Sequence, residues 1–373
     1  MKHLLLTVVW LLMSVCAHGQ THEIDGLELS VRLEAESSLE RGLGFLVSQQ
    51  QSNGEWTGQP GISGMAILSL ALSEPAPDSP RGEAVMRGIS WLSSQVRRDG
   101  TVGKAQKELD VYAQSAALLA FSQTAQCRLF PDPDANAATM AAIQKRLLAS
   151  RLTTGYAYGA FRYQTETYPD LSNTHWATEA LYVASRHLDL PKMKRFLRET
   201  QAVTRSCQLP EDSVTDAGGF TYFPLSTDET EKVPERHQQE LARARVWGSL
   251  TWGGIKSLIY AGVADDDLAV TQGLTWTSRH LSFKENPGLG KGGYYYYLYM
   301  LASGSRALNT TQLTIQTDGK ESREVDWRYN LVNALLSDQR GHGQWENSSA
   351  LWLENNPVLC TAYATLALQF ALQ

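Results

Sequence analysis

Cysteine is scarce in this 373-residue chain, with four in all, at Cys16, Cys127, Cys207 and Cys360. No Cys-x-x-Cys pair and no Cys/His cluster occurs, which excludes a zinc ribbon and a dense disulfide framework. The last three cysteines read as small buried apolar residues, and neither a metal site nor a cofactor is expected. Charge is sparse too, 19% of residues with a net value of −6. A mildly acidic chain with scattered lysines and arginines is a poor nucleic-acid binder, so no nucleic-acid partner is expected. The N-terminal apolar run is too short to span a membrane, and no later stretch is long enough either. What remains is ordinary globular material, 43% hydrophobic, enough for a substantial core.

The first residues stand apart. Lys2 precedes an apolar run over residues 4–15, followed by Ala17-His18-Gly19. That is the pattern of a secretory signal peptide cleaved after Gly19. Residues 1–19 are therefore assigned to a leader, and the protein to the periplasm or the exterior. Val15 ahead of Cys16 is bulkier than a lipobox usually carries, so a lipoprotein anchor is not expected. Peripheral membrane contact stays open.

Self-similarity organises the rest. Residues 41–56, RGLGFLVSQQQSNGEW, read as the end of an amphipathic helix, a polar Ser-Asn-Gly turn and a tryptophan. Glycine allows the positive φ that stops a helix. The Gln amide and the indole N–H can pair with exposed backbone groups at the helix end. The pattern recurs at Arg87, Gly88, Trp91 and Leu92 with a turn at Arg98-Asp99-Gly100. Its front half returns at Gly273 and Trp276, and its back half at Gln339, Gly343 and Trp345. Weaker copies over residues 143–161 and 193–220 bring the number of units to six. Gln50, Gly54, Trp56, Gly100, Gln339, Gly343 and Trp345 are thus expected to be structural staples.

Each glycine turn is followed by a helix rich in Ala, Leu and small residues, over residues 62–72, 109–122, 173–187, 248–261, 292–303 and 357–372. Helices apolar on nearly all sides are buried, whereas those before the turns carry a charged face and belong outside. The expected fold is all-α, a single α/α toroid domain over residues 30–373 with six outer and six inner helices. Ser37 with Glu40 reads as a capping box opening the first outer helix, Ser79 with Pro80 as the start of the second, and Pro191 as the start of the fourth. Residues 208–239 and 307–325 read as long surface excursions.

Arg41, Gly42, Phe45, Leu46, Gln50, Gly54 and Trp56 match, position for position, the QW repeat of the terpenoid cyclase and protein prenyltransferase superfamily. The six-unit chain resembles squalene-hopene cyclases and the β subunits of protein prenyltransferases, the prenyltransferase/squalene oxidase repeat proteins. The resemblance implies inner helices around a cavity for an isoprenoid chain, with aromatic faces that stabilise cations. It does not bring the chemistry along. The proton-donating Asp-x-Asp-Asp motif of the cyclases has only Ala264-Asp265-Asp266-Asp267 as a counterpart, which leads into an outer helix and reads as its cap. The Asp-x-Cys and His zinc ligands of the prenyltransferases are missing, the His place falling near Tyr296. The thioester sequence of complement-type toroids is missing as well. Whether the chain is an enzyme is left open.

Candidate cavity residues are Tyr112, His175, Trp176, Trp247, Trp252 and the run Tyr294, Tyr295, Tyr296 and Tyr297. Four consecutive tyrosines wrap most of a helix at about 100° per residue, so only part of the run can face one place. His175 and Glu179 share a helix face and form either an acid–base pair or a plain ion pair or hydrogen bond. Asp216, and Glu346, Trp352 and Glu354, are placed at the end of the ring where toroid enzymes carry their chemistry. The first reading is an exported toroid protein with a central aromatic cavity, binding or transforming an isoprenoid or other apolar small molecule. A non-catalytic binding or scaffold module is the alternative. Carboxylates beside aromatics also suit a glycan-acting enzyme, which would need two acidic groups flanking one cleft.

Overall fold

The computed structural model describes residues 27–103, 110–130, 132–155, 157–163, 169–187, 193–213, 215–225, 246–316 and 321–373. The expected leader over residues 1–19, Pro191 and much of the 208–239 excursion lie outside the described residues. Twelve α-helices occur within them, alternating between two walls. The outer wall consists of α1 (Leu29–Ser48), α3 (Pro80–Ser94), α5 (Pro133–Ser150), α7 (Met193–Ser206), α9 (Leu268–His280) and α11 (Trp327–Asp338). The inner wall consists of α2 (Pro60–Leu72), α4 (Asp110–Gln126), α6 (Leu171–Ala184), α8 (Gly248–Tyr260), α10 (Tyr294–Ala307) and α12 (Pro357–Leu372).

Burial follows composition. In α1 only a stripe of Ala35, Ser38, Gly42, Leu43 and Leu46 is buried, the spacing of one helix face. In α2 every residue from Ile62 to Ala71 is buried, and in α10 every residue from Tyr294 to Ser305. The inner helices pack in the order α2, α4, α6, α8, α10, α12 and back to α2, while α1 touches both α3 and α11. The first and last hairpins therefore meet, and the ring is closed: the fold is an all-α toroid of six outer and six inner helices.

Glycine is obligatory where one hairpin leans on the next. Gly54 has φ 94°, and a Cβ there would lie 2.4 Å from the Arg87 carbonyl oxygen on α3. Gly343 has φ 90°, and a Cβ there would lie 2.5 Å from the Arg41 carbonyl oxygen on α1. No L side chain fits a positive φ pressed against backbone.

Some helix starts agree with the sequence reading. The Ser79 side chain accepts from Gly82 N at 3.0 Å with Pro80 at the first helical position, and the Asp267 side chain accepts from Ala269 N at 2.9 Å at the start of α9. The Ser37/Glu40 capping box is corrected: α1 begins at Leu29, so Ser37 lies mid-helix and its hydroxyl accepts from Arg41 Nη1 at 2.9 Å. Nothing in the preceding turns, LSVRLEAE, breaks a helix, and Ala35 is already packed in the core. The 307–325 excursion contains structure of its own. A hairpin of β1 (Gln312–Gln316) and β2 (Ser322–Asp326) pairs antiparallel with Leu313 opposite Val325, and Asp326 ends it by capping α11 through Arg328 N.

Candidate functional site

The repeat residues join neighbouring hairpins. The Trp56 indole donates to Leu46 O at 2.7 Å and the Trp345 indole to Leu335 O at 2.8 Å, satisfying carbonyls in the last turns of α1 and α11. The glutamines reach further. Gln50 Nε2 donates to Gly54 O at 3.0 Å and across to Ala84 O of α3 at 2.8 Å, and Arg87 of α3 donates back to Gln50 Oε1 at 2.8 Å. Gln339 repeats the lock across the junction of last and first hairpins, donating to Gly343 O and Ser38 O, both at 2.9 Å, and accepting from Arg41. Gln208 makes the same two bonds, to Gly218 O and Ala269 O, each at 2.8 Å, in a copy the sequence pattern shows only weakly.

A cavity of about 610 Å³ lies where the inner helices begin. Its walls come from the first two turns of α2, α4, α6, α10 and α12, with Tyr163 and the segment Ala350, Trp352 and Leu353 contributed by loops. Tyr296 is the hub. Its ring stacks at 6.0 Å on Trp176 with an interplanar angle of 13°, meets Tyr363 at 5.7 Å and receives Trp352 edge-on at 5.8 Å. Trp352 is 37% exposed and sits at φ 56°, followed by Leu353 at φ 65°. Two left-handed non-glycine residues in succession are strained, a cost the surrounding packing sustains, and they form an apolar flap at the cavity with Ala350. Beneath the flap Glu354 is fully buried and accepts from Tyr296 N at 2.7 Å and Tyr295 N at 3.3 Å, a distant cap for α10. Burial raises its carboxyl pKa against the pull of those N–H donors.

One side of the cavity is built of hydroxyls. Tyr222 donates to Tyr163 Oη at 2.9 Å, Tyr163 meets Tyr112 Oη at 3.0 Å, and Tyr112 donates to Ser172 Oγ at 2.9 Å. Behind them Asp170, 1% exposed, caps α6, its two oxygens accepting from Asn173 N and Asn173 Nδ2 at 2.7 Å each. Burial pushes its carboxyl up to about 7, against the hydrogen bonds from Asn173 that pull it down.

Below the cavity the lumen is filled. Lys256, 1% exposed, donates to Glu179 Oε2 at 2.8 Å and to Ser303 Oγ at 3.0 Å, while Tyr299 donates to Glu179 Oε1 at 3.1 Å. Burial lowers the Lys256 ammonium pKa and Glu179 opposes it. His175 Nε2 is hydrogen-bonded to Tyr296 Oη. Burial first, and then the Lys256 charge, hold the imidazole pKa well below its ordinary value, so it is neutral.

Of the sequence candidates, Tyr112, Trp176, Tyr296 and Trp352 line the cavity. His175 stands one layer behind, through Tyr296. Tyr294 and Tyr297 turn away, donating to Phe283 O and Ser282 O at 2.8 Å each, and Tyr295 points at Glu346 O. Trp252 packs against Gly304 on α10, where a Cβ would meet its ring at 2.6 Å, and Trp247 lies behind the flap, 6.1 Å from Trp352 and 5.7 Å from Tyr222. These five are packing residues because α8 gives the cavity no wall and helical rotation sends three of four consecutive tyrosines elsewhere. Glu179 is bound to Lys256, a partner the sequence pattern did not supply; the signal was there, a single charge on an otherwise apolar inner helix. Asp216 accepts from the Trp276 indole at 3.1 Å on the outer wall, away from the cavity. Among the described residues no cluster of His, Cys, Asp or Glu is arranged to hold a metal ion, and no Asp or Glu lines the cavity.

No protein-family model and no curated protein matches the chain. Solved structures do. A variant of the type II terpene cyclase MstE from Scytonema, in complex with merosterolic acid A (product), aligns with a TM-score of 0.51 at 16% identity, over 92% of this chain and 98% of that one. A second variant, in complex with geranylgeranyl dihydroxybenzoate (substrate), aligns at 0.53 and 14% identity, over 92% and 99%. The apo enzyme aligns at 0.53 and 13% identity, over 91% and 98%. Identities this low speak for architecture alone, and on that evidence the chain has a terpene cyclase-like α/α toroid fold.

Proposed function

We propose that this is an exported protein that binds an isoprenoid-like apolar molecule in the cavity at the N-terminal ends of the inner helices. The observation that carries the reading is the cavity itself: about 610 Å³, walled by Ile62, Met65, Trp176, Tyr296, Leu359 and Tyr363. That volume falls in the range of about 300–1,000 Å³ usual for small-molecule sites. The substrate and product held by the fold's structural neighbours are of the same chemical kind. The lining offers no pair of carboxylates among the described residues, which disfavours a glycan-cleaving site. Mass spectrometry of lipid extracted from the protein purified from its own host should show a polyprenyl compound. No bound lipid, together with no binding of polyprenyl lipids above background, would reject the proposal. Export is checked separately: the mature chain should begin at Gln20, by N-terminal sequencing of the secreted protein.

One observation favours transformation of that ligand as a second reading. The inner helix α6 opens with Asp170-Leu171-Ser172-Asn173, and the Asp170 carboxyl, pushed up to about 7, retains a proton near neutrality. It lies just behind the cavity wall, two residues from Ser172 and close enough to Tyr112, Tyr163 and Tyr222 for its charge to act on all three. Incubation with polyprenyl compounds should then give isomeric products that Asp170→Asn abolishes; ligand recovered unchanged from the intact protein speaks for binding alone.

A further inference from the structure

The cavity is not uniformly apolar, and its asymmetry says what the ligand carries at one end. Most of its lining is apolar, Ile62, Met65, Ala113, Ala116, Leu353 and Leu359 among it. One patch is polar: the hydroxyls of Tyr163, Tyr112 and Ser172 run in sequence at 3.0 and 2.9 Å, fed by Tyr222 from behind at 2.9 Å. Each hydroxyl has one proton and spare lone pairs. With Tyr222 donating to Tyr163 and Tyr112 donating to Ser172, the Tyr163 proton serves the bond to Tyr112, so the run is directed toward Ser172. Tyr296, also on the lining, is bonded through its hydroxyl to His175. The hydroxyls of Tyr163, Tyr112 and Ser172 thus form a strip that can both give and accept hydrogen bonds but carries no fixed charge.

Charge is opposed there as well. Among the described residues no Lys, Arg or His lines the cavity to neutralise an anion. The nearest ionisable group behind the strip is an acid, Asp170. Two basic side chains deeper in the lumen offer no free charge: Lys256 is committed to Glu179, and His175 is held neutral by burial. A phosphate or diphosphate head would lose its hydration without gaining a counter-charge, whereas an alcohol, ketone or quinone oxygen exchanges water for hydroxyl partners at little loss.

Resting on the binding reading above, we infer that the ligand is an isoprenoid with a neutral oxygen head, a hydroxyl or carbonyl, seated on Tyr112, Tyr163 and Ser172, and not a prenyl phosphate. The test uses the mature chain and three probes of equal carbon number: a polyprenol, its monophosphate and the corresponding hydrocarbon. Affinities are read from quenching of tryptophan fluorescence. The alcohol should bind at least tenfold more tightly than the phosphate and several-fold more tightly than the hydrocarbon. Tyr112→Phe and Ser172→Ala should each weaken alcohol binding about two- to tenfold, the loss of one neutral hydrogen bond, and leave the hydrocarbon unchanged. Thermal melts of both variants establish that the cavity is still folded, and either variant alone suffices. Phosphate binding as tight as or tighter than alcohol overturns the inference, as does a variant that weakens alcohol and hydrocarbon alike. Hydrocarbon binding with no gain for the alcohol removes this inference and leaves the apolar cavity standing; failure of all three probes removes both.

Discussion

Replacing Lys256 by methionine isolates one carboxylate in the middle of the inner ring. Glu179 is 5% exposed and holds Lys256 at 2.8 Å and Tyr299 at 3.1 Å. Taking away the ammonium leaves a buried charge with a single neutral donor, a change that typically destabilises by about 3–5 kcal/mol. Glu179→Gln alone strands the ammonium with Ser303 Oγ at 3.0 Å and Met300 Sδ at 3.5 Å, for a loss of similar size. The double variant removes both charges and retains an amide oxygen to accept from Tyr299. It should therefore lose only about 1–2 kcal/mol, well under the sum of the singles, because the desolvation penalty disappears with the charges. Urea unfolding of all four proteins, followed by circular dichroism and tryptophan fluorescence, gives the cycle. Neither residue lines the cavity, so the double variant should bind a polyprenyl ligand within about twofold of the parent, an energy difference below about 0.5 kcal/mol. Additive losses, with a coupling below about 0.5 kcal/mol, would show that the two groups do not compensate one another and that this account of the lumen is wrong.

Gly343→Ala, with φ 90° and backbone at 2.5 Å, should cost at least about 2 kcal/mol, whereas Gly341→Ala, which meets nothing within 4 Å, should cost under about 0.5 kcal/mol; equal melting temperatures would refute ring closure at that turn. Trp345→Ala empties a fully buried site and should lower stability by about 3–5 kcal/mol in the same assay. Trp352→Ala strips the half-exposed flap from Tyr296 and should weaken polyprenyl binding about tenfold with little change in melting, by titration and thermal scan; unchanged affinity would mean the flap does not touch the ligand. Asp170 binds its proton more tightly folded, at about 7, than at its ordinary 3.8, so its effect on stability is a loss as pH rises between those values, while neutral His175 acts in the opposite sense, its contribution present above 6.5 and lost below. Asp170→Asn should thus make the protein gain more stability, or lose less, between pH 5 and 7.5 than the parent does, by up to about 1.4 kcal/mol per pH unit below 7, and an unchanged slope in urea midpoints would show that Asp170 is not held protonated.

The toroid was legible because each hairpin repeats two contrasts that a one-dimensional pattern carries: a striped helix against one apolar all round, and a glycine where they meet. The site was legible only in part, for reasons visible at particular residues. In Tyr294–Tyr297 all four side chains are alike, so no polarity contrast tells which of them faces the lumen, and neighbours alone choose Tyr296. Tyr163 and Tyr222 lie outside the regular helices, and the bonds Tyr112–Tyr163, Tyr222–Tyr163 and Tyr112–Ser172 span 51, 59 and 60 residues of chain, a register set by the ring and not by local spacing. Lys256 was readable in hindsight as an anomaly, a lone charge on a buried helix, but its partner lies 77 residues away.

The glutamine staples show the same division between local and lateral information. From its own unit, Gln50 promises a bond to the end of its own helix. Its amide instead ties the Gly54 turn to α3, and Gln339 ties the last turn to α1. A hairpin locked sideways has little freedom to rotate, so its inner helix presents fixed first turns to the lumen. The first two turns of five such helices make the cavity wall, with residues from α2, α4, α6, α10 and α12. Tyr112 and Ser172, on neighbouring inner helices, stay within 2.9 Å only while α4 and α6 hold their relative rotation. The outer-wall staples and the hydroxyl strip are therefore coupled through rigid helices and not through contact. Loosening Gln339 should lower stability before it disturbs the strip, because the α11–α1 junction it closes is remote from α4 and α6, whereas a defect at the Gly100 turn, which leans on α5 beside Ala142, acts on the hairpin that carries α4 itself.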